Sequence, residues 1–243
     1  MTAAIWHDLE CGAYREDLAF WLRLAERHPG PILDVGAGTG RVALELARAG
    51  HDVIALDSDP GLLEVLARRA SETGAGGPRL QTVCADARNF ELSTSVGLCL
   101  VPMQTIQLLG GSDGRAGFLA CVRRHLAPGA VVAMAILDRL EPFEVDEGGL
   151  APLPDLVELD GIVYCSQPTA VRRAGHSVVL ERRREVVDQA GEHEVSLDRI
   201  SLDLVSVSTL QREGRRLGLR PVAVERIAAT RDHVGSQVVI LGA

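Results

Sequence analysis

The chain has 243 residues, enough for one sizeable α/β domain or for such a domain carrying an insertion. Hydrophobic residues make up 47% and charged residues 24%, which excludes a disordered polar chain, and no apolar run reaches the roughly 18 residues of a membrane span. The net charge of −8 argues against nucleic acid, whose phosphates select basic surfaces, and favours a small-molecule partner.

The opening stretch MTAAIWHDLECGAYRED carries early acids and no basic region followed by an apolar one. It does not read as a signal peptide, and a cytoplasmic protein away from membranes is expected. Tyr14 to His28 has Leu18, Trp21, Leu22 and Ala25 at helical spacing and stops at Pro29-Gly30-Pro31. Ile32 to Val35 reads as a buried strand. Arg41 to Ala49 follows as a helix with Val42, Leu46 and Ala47 on one face and Gly50 as its stop. Val53 to Leu56 is a second strand, and Gly61 to Ala70 a second helix of this alternation, opened by Pro60. Leu80 to Cys84, Val96 to Val101 and Val131 to Leu137 are three more strands, with a helix from Arg115 to Leu126 before the last. Strands alternating with helices indicate a parallel sheet covered on both faces.

The pattern changes after Asp138. Val163 to Arg172, Ser177 to Val187 and Glu194 to Val205 alternate polar and apolar residues with no helix between them, which suggests antiparallel pairing. STLQREGRRLGL then reads as a helix with Ser208 and Gln211 placed as a capping box. Val222 to Ala228 and Ser236 to Leu241 close the chain as a hairpin-like pair. Arg182 to Arg184 fall in a strand flanked by acids and read as a solvated face. Cys11, Cys84, Cys99, Cys121 and Cys165 are scattered with no C-x-x-C pair. Buried free thiols are expected, rather than disulfides or zinc.

The chemistry concentrates in PILDVGAGTGRVALELARAGHDVIALDSDP, residues 31–60. Gly36, Gly38 and Gly40 occupy the turn between a strand and its helix, where a ligand meets the carboxyl edge of a parallel sheet. Glycine permits the sharp turn and the close approach of a ligand to the backbone. The dinucleotide fingerprint G-x-G-x-x-G needs its third glycine where Arg41 stands, and the phosphate-loop ending G-K-[ST] is absent. That leaves a ligand with an adenosine-like ribose and no phosphates. Asp57 ends the second strand, 21 positions after Gly36, where an acid accepts from ribose hydroxyls. Asp86, in CADARNF, ends the third strand, where a side chain can meet the edge of an adenine ring.

These segments resemble the class I S-adenosylmethionine-dependent methyltransferases. LDVGAGTGRVALELARAGHDVIALDSDPGLLEVLARR is similar to their first motif and second strand, CADARNF to their third-strand motif, VPMQTIQLL to the segment after the fourth strand, and HLAPGAVVAMAI to the following helix and strand. The resemblance covers Tyr14 to Leu137 and resumes with the terminal strand pair. It departs at Ala130, where the family usually has a second glycine, and at STSVGLCLV, which lacks the usual Phe-Asp. No N-P-P-Y-type motif follows the fourth strand, which argues against the amide and adenine N-methylation that uses it.

The resemblance implies an α/β fold: a doubly wound, Rossmann-like seven-stranded sheet with a terminal antiparallel pair, spanning residues 1–139 and 206–243. The antiparallel β-rich insertion, 140–205, is expected as a substrate cap over the carboxyl edge. The implied cofactor is S-adenosylmethionine. Asp34, Gly36, Ala37, Gly38 and Gly40 would lie along its methionine part. Asp57 would hold the ribose, and Asp86 and the backbone of Ala87 the adenine. Gln104 would stand near the methionine moiety, Tyr14 near the sulfonium, and Ser58 and Val101 complete the expected shell. The acceptor is read as a small molecule methylated at N or O. A homodimer is left open. The sequence names no general base; Tyr14, His176 and His233 are the candidates, although histidines on such segments are usually solvated. No His, Asp or Glu grouping has metal-site spacing. A non-catalytic cofactor-binding protein and a nicotinamide-dependent oxidoreductase are the competing readings, the latter opposed by Arg41.

Overall fold

The computed structural model describes residues 2–73, 79–137, 140–145, 151–230 and 233–243. In chain order it runs α1 (Thr2–His7), a π-helical turn (Asp8–Gly12), α2 (Leu18–Arg27), β1 (Ile32–Val35), α3 (Ala43–Arg48), β2 (Val53–Asp57), α4 (Pro60–Glu72), β3 (Leu80–Cys84) and β4 (Val96–Val101). A 3-10 turn (Thr105–Leu108), α5 (Gly111–His125) and β5 (Leu126–Ile136) follow. Then come β6 (Phe143–Glu144), β7 (Asp155–Leu159), β8 (Ile162–Ala174), β9 (Ser177–Val187) and β10 (His193–Asp203). The chain ends with α6 (Val207–Arg216), β11 (Arg220–Ile227) and β12 (Ser236–Gly242).

Two compact units result. The larger comprises Tyr14–Asp138 and Val205–Ala243. Its seven-stranded sheet has the order β11-β12-β5-β4-β1-β2-β3, parallel from β5 to β3, with β12 antiparallel to β5 and β11 antiparallel to β12. The doubly wound seven-stranded expectation is met. Alternate residues of each strand enter opposite cores, because side chains alternate across a sheet. Ile32, Ala55, Leu98, Ala133 and Val238 pack with Trp21, Leu46 and Leu66. Leu33, Ile54, Cys99, Val132 and Val239 pack with Phe118, Val122 and Leu210. Four of the five parallel strands are nearly fully buried; β3, at the edge, is not.

The smaller unit comprises Met1–Ala13 and Arg139–Leu204. Its antiparallel sheet has the order β10-β9-β8-β6, with β7 also paired to β8. Trp6 meets Tyr164 edge-on at 5.5 Å, and Glu10 accepts hydrogen bonds from Ser166 and Arg184.

Several expectations change. The helix expected from Tyr14 begins only at Leu18; Asp17, at its N-cap, makes no side-chain capping bond and accepts from Arg41 instead. α6 is capped by Ser206, whose Oγ accepts from Thr209 N–H at 3.2 Å, and Ser208 lies inside the helix. β5 starts directly after α5, and the expected break at 126–130 lies within it as a register shift containing left-handed Gly129. The arginine run is not one solvated face. Arg184 pairs with Glu10 and Asp198 and lies over the Trp6 ring, while Arg183 pairs with Glu185. Of the five cysteines, all free, only Cys99 and Cys121 are buried; Cys84 is exposed.

Candidate active site

The carboxyl ends of the parallel strands carry the candidate residues. Gly36, Gly38 and Gly40 all have positive φ, +71°, +54° and +98°, so the turn after β1 needs the conformation that glycine adopts without strain. A Cβ at Gly36 would stand 2.7 Å from the Thr105 side chain, and one at Gly40 would stand 2.9 Å from Leu66. The turn is pinned to β2. Gly36 and Ala37 donate to the Leu56 carbonyl at 2.8 and 3.0 Å, and Gly38 N–H donates to Asp57 Oδ2 at 2.8 Å. The other Asp57 oxygen accepts from Asp59 N–H at 3.0 Å. Asp59, not Asp57, caps α4, through the amides of Gly61 and Leu62. Asp57 is therefore a carboxylate held at the glycine turn, only partly buried.

Asp34 is the anomaly of the site. It is 1% exposed, and neither carboxylate oxygen has a hydrogen bond in the structure. Burial pushes its pKa up to about 7, with the charges of Asp17 and Asp57 adding to the effect; Arg41 and the nearby Ala43 amide oppose it. An unpaired buried carboxylate is costly unless it is protonated or receives a donor.

Sequence reasoning misses the group beside it. Arg41 donates to Asp17 through two nitrogens, at 2.5 and 2.8 Å, and to the Tyr14 carbonyl at 2.9 Å. Trp21 Nε1–H donates to the same Asp17 at 2.8 Å, and the guanidinium lies 5.2 Å from the Tyr14 ring centroid. Arg41 thus ties the entry to α2 to the residue that follows the last glycine. The signal for it is an acid four residues before a buried tryptophan, facing an arginine in the position of a missing glycine.

Tyr14 itself is 9% exposed. Burial and the Asp17 charge push its phenol up to about 12, so at neutral pH it is a hydrogen-bond donor rather than a base. Its ring stacks obliquely on His233, with centroids 4.9 Å apart. His233 Nδ1 stands 3.6 Å from Glu16, and its N–H donates to Thr230. Because β12 is antiparallel, it begins where the parallel strands end, with Gln237 opposite Ile136. Ser236, the first residue of β12, accepts from Gln104 Nε2 at 2.9 Å. Met103 and Gln104 both adopt left-handed backbone, φ 45° and 61°, directly after β4. Two such non-glycine residues in succession are strained, and strain of this kind concentrates at functional sites.

The structure thus brings together Tyr14, Asp34, the glycine turn, Asp57, Gln104 and His233. Val101 is fully buried and Ala87 nearly so, each packed in the core beside α5. Ser58 is exposed, and its carbonyl faces the Cys84 thiol. Asp86 is exposed and engaged by Arg88, whose side-chain nitrogens reach both carboxylate oxygens at 2.5–3.0 Å and whose amide donates at 2.8 Å. His176 is an exposed turn residue between β8 and β9, in the smaller unit. Among the described residues no group of three or more His, Cys, Asp or Glu is arranged for a metal ion.

Residues 32–129 match the family described as a methyltransferase domain. The cypemycin N-terminal methyltransferase of Streptomyces sp is 27% identical over 118 residues, 49% of this chain and 45% of that protein. The chain spans about half the length of the curated relatives it matches. Among solved structures, the sugar N-methyltransferase KedS8 from Streptoalloteichus sp superposes with a TM-score of 0.73 at 18% identity, covering 100% of this chain and 92% of that one. The S-adenosylmethionine-bound amino pentose methyltransferase CalS10 from Micromonospora echinaspora gives 0.67 at 22% identity, covering 99% and 96%. These structural likenesses show a shared fold. With the strand order and the glycine turn that ends β1, the family match at residues 32–129 supports a class I S-adenosylmethionine-dependent methyltransferase family for this chain.

Proposed function

We propose that the chain binds S-adenosylmethionine at the edge formed by Gly36–Gly40, Asp57 and Gln104, and transfers its methyl group to an N or O atom of a small molecule. The observation that carries the reading is the pairing of a glycine turn fixed to Asp57 with an unpartnered buried carboxylate at Asp34. The donor set suits the cofactor: backbone with positive φ admits close approach, Asp57 can accept from a ribose diol, and Asp34 lacks the donor that an α-ammonium group would bring. Tyr14 and Gln104 would flank the methionine part, while Ser58, Asp86, Ala87 and Val101 would complete the shell. When bound, the cofactor supplies a methyl group already activated by the sulfonium charge. The chain's own task is then alignment of the acceptor and exclusion of water.

An acceptor that loses a proton needs a place for it. His233 is the candidate favoured by geometry, because the Tyr14 ring and Glu16 both neighbour it. We assign acceptor selection to the β-rich insertion, residues 140–205. The substrates named for KedS8 and CalS10 make sugars the first acceptors to try. The test is calorimetric titration with S-adenosylmethionine, S-adenosylhomocysteine and NAD, followed by an assay of S-adenosylhomocysteine release with amino sugars and hydroxylated acceptors. Binding of the first two ligands with turnover supports the reading. Binding without turnover across the acceptors leaves a cofactor-binding protein, and preference for NAD overturns the assignment.

A further inference from the structure

The buried charges beside the glycine turn do not balance. Asp17 and Asp34 are each 1% exposed, and the cation facing them, Arg41, is spent on Asp17 and the Tyr14 carbonyl. From the other elements packed around Asp34 come the like-charged Asp57 at the end of β2, the neutral Cys99 thiol of β4, itself pushed up by burial and by Asp34, and the Ala43 amide at the start of α3. Both Asp34 oxygens lack a hydrogen bond, so among the described residues the site is short of one positive charge and of N–H donors. An α-ammonium group supplies both.

We propose that Asp34 holds a proton in the ligand-free protein and that an incoming α-ammonium group displaces it, so that cofactor binding is coupled to proton release. This rests on the cofactor reading above and specifies how that site responds to pH. The Asp34 O–H bond breaks, the proton passes to solvent, and the carboxylate pairs with the ammonium; no other bond changes. The ligand-free carboxyl lies at about 7, so about half a proton is released per site at pH 7. Between pH 6.0 and pH 7.5 the affinity for a ligand carrying the ammonium rises about eightfold.

Two probes separate the parts of the argument. S-adenosylhomocysteine carries the amino-acid group; 5′-methylthioadenosine keeps the adenosine and the thioether but lacks it. Titrations of the wild-type chain in buffers of different ionisation enthalpy give the number of protons released. The proposal expects release and a rising affinity for S-adenosylhomocysteine and a flat profile for 5′-methylthioadenosine, with the release abolished in Asp34→Asn. Equal pH dependence for the two ligands, no buffer dependence, or undiminished release in the variant overturns it while leaving the cofactor reading intact. Failure of both ligands to bind overturns that reading and the proposal with it. Should Asp34→Asn not fold, the comparison of the two ligands on the wild type decides.

Discussion

The orphaned carboxyl makes a prediction about stability that needs no ligand. Asp34 has a folded pKa of about 7 against an ordinary value of 3.8, a rise of about three units. At 1.36 kcal/mol per unit, ionising it in the folded protein costs about 4 kcal/mol relative to the unfolded chain. Between those two pKa values the folded state binds more protons than the unfolded one, so the ligand-free protein loses stability as pH rises from about 4 to about 7. Above that range the penalty is complete and constant. Asp34→Asn keeps the shape and removes the titration. The cost of an unpaired amide is the same at every pH, so the informative quantity is the growth of the variant's advantage between pH 5 and pH 8, about 2–3 kcal/mol in full and less if a water reaches the site. Trp21 lies in the unit that contains Asp34, and Trp6 in the other. Urea unfolding followed by tryptophan fluorescence in a Trp6→Phe background therefore reports the relevant unit. Parallel pH profiles with and without the Asp34→Asn substitution would refute the argument from burial.

Three further outcomes are expected. Asp57→Ala should weaken S-adenosylmethionine binding by about 1–3 kcal/mol, the scale of hydrogen bonds to a charged group, with the circular dichroism spectrum retained; unchanged affinity by calorimetry would place the ribose elsewhere. Gln107 is buried and its amide clasps Leu137 in both directions, donating to its carbonyl at 2.9 Å and accepting from its N–H at 2.8 Å. Gln107→Met should cost about 2–4 kcal/mol in chemical denaturation, since two backbone groups lose that partner. Ser206→Ala should cost about 0.5–2 kcal/mol through loss of the α6 cap, whereas Ser208→Ala should be nearly silent.

Much of the fold is legible because the buried strands are short, apolar and separated by helices of clear period. The bounds of β3, β4 and β9 follow from the residue pattern alone. What escapes is set by tertiary contact. α1 and the π-helical turn carry no strong amphipathic pattern in isolation, and their ordering depends on Trp6 and Glu10 meeting Tyr164, Ser166 and Arg184 on strands more than 150 residues away. β7 hides in a polar, Pro-containing stretch, yet it pairs fully with β8. Its side chains are mostly exposed, so no alternation of apolar residues marks it.

The site divides in the same way. The glycines and Asp57 are legible because their roles are local: a turn that demands positive φ, and a carboxylate at a strand end. Asp86 shows the limit of that logic, since the position is right but the nearest cation, Arg88, lies two residues away and claims the carboxylate. An adenine contact there must compete with a pair already formed in water, where such pairs are worth little, so the competition costs the ligand little. Arg41 is the instructive case. As a residue that breaks the dinucleotide fingerprint, it only excludes a ligand. In the folded chain its guanidinium is nearly buried against Asp17, and a buried guanidinium requires a carboxylate. In that position Arg41 therefore holds the Tyr14 carbonyl and commits its hydrogen bonds to Asp17, so that Asp34 receives only part of its charge. A pyrophosphate would add negative charge beside two buried acids that share one cation, whereas an α-ammonium would complete the set. Electrostatics thus reaches, independently of glycine spacing, the same choice between a phosphate-bearing and an amino-acid-bearing nucleoside.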